Sequence, residues 1–248
     1  MAKIKDLFRD PLSVVLIVVI VVALVIAGVI AGELYGRNRA NSVVANAVQC
    51  VVQDQADVSF GVWPPFLMQH ISGHYTNIHI ETAGNQVRDA KGMKLNISIE
   101  DVRLEDTANS SGTIGKLVAN ITWSADGIKQ TIQDAVPLVG AFVTGVSTNP
   151  SAGTIELEGA LGSITAKPTV EDDGIALQVT QLTGLGFSLP REMVQPALDA
   201  FTSQLTKDYP LGVHADSVQV TDDGVVSQFS TQNAAMPKAQ QDPCFAGL

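Results

Sequence analysis

The chain has 248 residues, 46% of them hydrophobic, with 15 Lys and Arg against 25 Asp and Glu, a formal net charge of −10. So acidic a balance argues against nucleic acid as a partner, because a phosphate backbone demands a basic footprint. Two cysteines, Cys50 and Cys244, are too few and too widely spaced for a structural zinc site; no metal and no cofactor is expected.

Residues 1–10 carry Lys3, Lys5 and Arg9. From Pro11 to Gly32 the chain then reads PLSVVLIVVIVVALVIAGVIAG, with no charge between Asp10 and Glu33. As a helix this stretch spans about 33 Å, enough to cross a hydrocarbon core about 30 Å thick. It is apolar on every face, whereas a core helix of a globular protein carries a polar stripe. The spacing predicts a single transmembrane helix over 11–32. The rival reading is a cleaved signal peptide, with a basic start and Val29-Ile30-Ala31 near the cut, but such a peptide has an apolar region of about 7–15 residues. Gly28-x-x-x-Gly32 would let a second helix approach closely; two small residues in a span rich in them are equally ordinary. Three bases before the span against Arg37 and Arg39 after it favour a cytoplasmic N-terminus over residues 1–10. The C-terminal body then lies outside the cytoplasm.

The body is expected over 33–230, with a tail over 231–248. Setting aside Lys3, Lys5, Arg9, Asp6 and Asp10 leaves 12 bases against 23 acids, so lipid contact must be apolar or use a few local bases. Ala40, Val43, Val44, Ala47, Val48 and Val51 recur on one helical face between Arg37 and Gln53, with Gly36 as the place for a bend. Cys50 lies beside that face, where a partner from the tail could reach it. In an oxidising compartment a Cys50–Cys244 bridge would stabilise by roughly 4–5 kcal/mol in the chain-entropy model; two unrelated thiols are the other reading.

Trp63-Pro64-Pro65-Phe66-Leu67-Met68 packs large apolar side chains around two prolines, which break both helix and ladder. It predicts a rigid turn or a short proline-started helix, either a tip touching membrane or ligand or a plug closing one end of the core. Strands are expected over 75–81 and over 94–105, the latter with a bulge near Asp101, then over 116–123, 154–158, 163–170, 175–179, 213–220 and 225–229. Asp173-Gly174 and Asp223-Gly224 each sit between two such runs and predict hairpins. One helix is expected from Ile128 to Val143, kinked at Pro137, and another from Pro190, bent at Pro196. The fold class that follows is α+β: a transmembrane helix, then a mainly antiparallel sheet with long amphipathic helices.

Segments 135–155 and 174–190 contain no acid or base. Facing each other, they would line an apolar cavity; an ordinary core explains them too. No nucleophile elbow, phosphate loop or dinucleotide fingerprint appears, so an enzyme is not expected. His70 and His74 have helical i, i+4 spacing, but Gly73 lies between them and no metalloprotease pattern surrounds them.

The order of VSFGVWPPFLMQHISGHYTNIHIE, KLNISIEDVRLE and YPLGVHADSVQVTDDGVVSQFS behind a membrane segment resembles the LmeA-like phospholipid-binding family of actinobacterial envelope proteins. The Pro-Phe-Leu turn followed by Gly73, and the late Pro-Leu-Gly-Val strand with its Asp-Asp-Gly turn, carry the likeness over about Val43 to Ser230. The resemblance implies a bent antiparallel sheet against a long helix, with a shallow apolar groove and a periplasmic role with phospholipids in envelope assembly. Trp63, Phe66, Leu67, Phe142, Phe187, Met193 and Phe201 are the candidate lipid-contacting residues. A non-catalytic accessory subunit of a larger membrane complex is the alternative, supported by the anchor and the glycine pair.

Overall fold

A computed structural model describes residues 11–135, 143–206, 210–238 and 244; for Ala197, Phe201, 203–206 and Pro210 it describes the backbone only. The first described element is one helix, α1 (Pro11–Val52), of 42 residues or about 63 Å. The helix runs unbroken through Gly36, so the expected bend is not there. A side chain at Gly36 would meet the Leu67 and Phe66 side chains at 3.4 and 3.5 Å. The glycine is therefore a notch that admits a neighbour. The apolar first half is long enough to cross a membrane, and none of its residues is buried.

The second half of α1 lies on a six-stranded antiparallel sheet of order β1-β2-β5-β6-β13-β12. Its strands are β1 (Ala56–Phe60), β2 (His74–Thr82), β5 (Met93–Leu104), β6 (Ser110–Ser124), β12 (His214–Thr221) and β13 (Gly224–Pro237). Strict alternation puts Ala56, Val58 and Phe60 of β1 inward. There Val58 and Phe60 meet Ala45, Val44 and Val48 of α1, with Phe66 and Ile80, in the main core. Between β1 and β2 the proline turn leads into α2 (Phe66–Ser72), which Gly73 ends in the left-handed conformation. Two short strands, β3 (Gln86–Val87) and β4 (Ala90–Lys91), follow β2.

After β6 comes α3 (Ala125–Ala135), then a second antiparallel sheet of order β11-β10-β9-β8-β7. Its strands are β7 (Val143–Asn149), β8 (Thr154–Gly159), β9 (Gly162–Glu171), β10 (Gly174–Gly184) and β11 (Phe187–Ser188). Ile128 and Ile132 of α3 bury against Val143, Ile155 and Val220, joining this sheet to β12. α3 is described as far as Ala135, and Val143, expected on the face of that helix, instead opens the strand VTGVSTN, rich in β-branched residues. Residues 136–142, with the expected kink at Pro137, lie outside the described residues.

Both hairpins form. The β9–β10 turn is Asp172-Asp173, each left-handed at φ 47° and 63°, which matches the twist of the paired strands. Gly224 follows the other turn, where an added Cβ would stand 2.0 Å from the Trp123 carbonyl oxygen. The expected bulge at Asp101 is different in kind. Asp101 has φ 55°, yet the pairing of β5 with β6 keeps one register on both sides of it, and Gly115 leaves room for its side chain. At Pro190 the chain makes only a 3-10 turn (Arg191–Met193); Val194 interrupts it and α4 (Gln195–Thr206) follows. Pro196 therefore sits in the first turn of α4, where a missing N–H costs nothing and no bend results.

Candidate functional site

The uncharged β7 and β10 do not face each other across a cavity; they lie in one sheet with β8 and β9 between them. The concave site is elsewhere. β10 is paired with β11 only at Thr183 and Gly184, which leaves the rest of that edge to be satisfied from outside the sheet. Gln195 does this from the start of α4. Its Oε1 accepts the Val179 N–H at 2.8 Å, and its Nε2 donates to the Leu177 carbonyl at 2.8 Å and to Asp199 at 2.7 Å. Arg191 adds a longer bond, 3.4 Å, to the Val179 carbonyl. Helix and hairpin so joined enclose a groove of about 690 Å³, within the usual range for small-molecule sites.

The β9 and β10 side of the groove is mixed: Val170, Ala176, Leu177 and Val179 line it together with Thr169 and Gln178, and Val179 is itself buried. Among the described residues Arg191 is the single base of the lining, against Glu171, Glu192 and Asp199. An entirely apolar slot, as the charge pattern suggested, is not what forms; one end of a ligand here must be polar. Neither Arg191 nor Gln195 carries a signal in the sequence, since each acts through strand backbone more than ten residues away.

The residues expected to contact lipid fall in two places. Phe187 and Met193 are both exposed on the segment between β10 and α4. Trp63, Phe66 and Leu67 lie beside α1. Trp63 is 80% exposed, whereas Phe66, at 4%, is core, its ring 5.3 Å from Phe60 and 6.1 Å from Tyr75. Leu67 reaches toward Gly32, within 3.7 Å of where a Cβ would stand. That contact covers one member of the Gly28-x-x-x-Gly32 pair, while Gly28 is open. Phe142 and the side chain of Phe201 lie outside the described residues. His70 and His74 take separate partners: Tyr75 at 2.9 Å and Asp101 at 2.6 Å.

Cys50 and Cys244 form a disulfide with Cα atoms 5.5 Å apart. It ties the last turns of α1 to the end of the chain across 194 positions.

Comparison with known proteins gives two findings. The model of a family described as LmeA-like phospholipid-binding matches residues 31–230. Uncharacterized protein Mb0489c of Mycobacterium bovis and Uncharacterized protein Rv0479c of Mycobacterium tuberculosis are each 59% identical to the chain over 241 residues, 97% of this chain and 69% of theirs. No solved structure matches it.

Proposed function

Because the chain belongs to the LmeA-like phospholipid-binding family, we propose that its body is a non-catalytic phospholipid-binding module, tethered by residues 11–32 and working outside the cytoplasmic membrane. It holds or carries a phospholipid for assembly of the cell envelope. The family match over 31–230 carries this reading, since it takes in both sheets and the groove. The disulfide supports the compartment, because such bonds persist where the surroundings are oxidising. The long apolar helix supports the tether.

Within the body, the groove between the β9–β10 hairpin and the Arg191–Asp199 segment is the site we assign to the lipid. Its apolar residues Val170, Ala176 and Leu177 suit the start of an acyl chain. Arg191 suits a phosphate, and three carboxylates beside it suit a head group that also carries a cation, such as an ethanolamine. Native mass spectrometry of the full chain, extracted in mild detergent, tests this. Phospholipid should be retained, with the zwitterionic class in excess, and Ala176→Trp should remove most of it while leaving the circular dichroism unchanged. A lipid-free wild type would overturn the binding reading; full retention in a folded Ala176→Trp would move the site away from the groove.

A further inference from the structure

α1 passes without a break from the apolar span into the stretch that carries the body, so anything clamped to residues 32–37 is held at a height set by the helix itself. The proline turn and α2 are clamped there. Glu33 accepts the Phe66 and Leu67 backbone N–H groups at 2.6 and 2.9 Å. Arg37, paired with Glu33 at 3.0 Å, donates to the Phe60 and Gly61 carbonyls at 2.7 and 3.1 Å. Phe66 packs at Gly36, and Leu67 extends one helical turn further toward the span, to Gly32. The side of α2 nearest the span is therefore the one that Leu67 occupies.

Ile71, four residues on from Leu67, and Met68, three before Ile71, share that side. Ile71 is 86% exposed and Met68 62%, and Val62 and Trp63 of the turn that leads into α2 are exposed as well. Leu104 extends the patch, its N–H bonded to the Gly73 carbonyl and its side chain exposed. The sequence from Gly61 to Gln69 has no ionisable group. On α1 itself Leu34 and Tyr35 are exposed at the same level. A soluble surface seldom gathers so many large apolar side chains, and exposed Trp and Tyr are enriched at membrane–water interfaces.

We infer that this turn is a second membrane contact: Val62, Trp63, Met68 and Ile71 sit in the head-group layer of the same bilayer that α1 crosses. The occupant is the lipid interface, because the patch is continuous with the span and fixed to its end. The inference rests on the tethered reading above. A lone helix lets a body swing; a helix with a foot beside it sets one orientation, and with it the approach of the rest of the body to the lipid surface.

The test uses the full chain reconstituted into vesicles of dioleoylphosphatidylcholine, or of phosphatidylcholine brominated on the upper acyl carbons. Trp63 and Trp123 are the two tryptophans, so Trp63→Phe isolates the emission of Trp63. Brominated lipid should quench more than half of the Trp63 emission and leave Trp63→Phe nearly unchanged, with both proteins resisting alkaline extraction. Trp63 emission equal in the two lipids, in protein that resists extraction, would overturn the foot alone. Emission shielded from aqueous iodide yet unquenched by bromine would assign the turn to a protein contact, and also overturn it. Release of the wild type by alkali would overturn the tether, and the foot with it.

Discussion

Asp54 shows how one side chain closes a corner of the fold. Its Oδ2 accepts the backbone N–H groups of Gly84 and Asn85 at 2.9 Å, and its Oδ1 accepts the Gln55 N–H and the Asn85 side-chain amide. Partial burial pushes the carboxyl up, but the Asn85 side chain and the surrounding backbone donors outweigh it and hold the group below its ordinary value. A carboxyl depressed in the folded state stabilises above its unfolded pKa of about 3.9, and that contribution fades as pH falls through the lower folded value. The melting temperature of Asp54→Ala should therefore lie below that of the wild type by a constant margin from neutrality to about pH 4. The margin should close at more acid pH; thermal scans of the two proteins measure it. Nothing in the sequence distinguishes this aspartate from its many neighbours, because all its partners but the adjacent Gln55 are about thirty positions away.

At the level of elements, the junction of α1 with α2 depends on glycines that are alike in sequence and unlike in place. Gly28 has nothing near it, while Gly36 is filled from outside by Phe66 and Leu67. Gly36→Leu should push α2 away, at a cost of about 1–3 kcal/mol typical of overpacking, and speed hydrogen exchange at residues 66–72. Gly28→Leu should change neither stability nor exchange, and an equal response to both would sink this account. The hairpins were legible because a tight turn is a local device: two acidic residues and a glycine between alternating runs suffice. β7 was not, since VTGVSTN lacks a clear alternation and Val143 also fits the apolar spacing of the helical run before it. The break at Val194 was hidden for the same reason, as the apolar spacing continues across it.

Across the whole molecule the longest constraint is covalent. The Cys50–Cys244 bridge closes a loop of 194 positions, and in the chain-entropy model this removes about 4–5 kcal/mol of unfolded-state freedom. Cys244→Ser should lower the urea midpoint accordingly, with no change in the presence of reductant, where the wild type should match it. Equal midpoints for the oxidised wild type and the variant would overturn that expectation. The two sheets meet through β12, the groove opens at the unpaired edge of β10, and the exposed turn stands beside the end of the span. The groove and the exposed apolar turn thus lie in two separate regions of the chain.

The apolar stretch, the antiparallel strands with their hairpins, the α+β class and the family likeness could be read from residues alone, because each depends on composition or on neighbours a few positions apart. The sequence also brought Cys50 and Cys244 forward as partners, the two thiols available. Only the tertiary structure decided that Phe66 is core while Trp63 is exposed, that Glu33 holds α2 against the end of the span, and that Arg191 and Gln195 build a groove on β10. Those outcomes depend on which strands lie at an edge and which backbone groups are left without a partner. Such facts exist only once distant segments have packed.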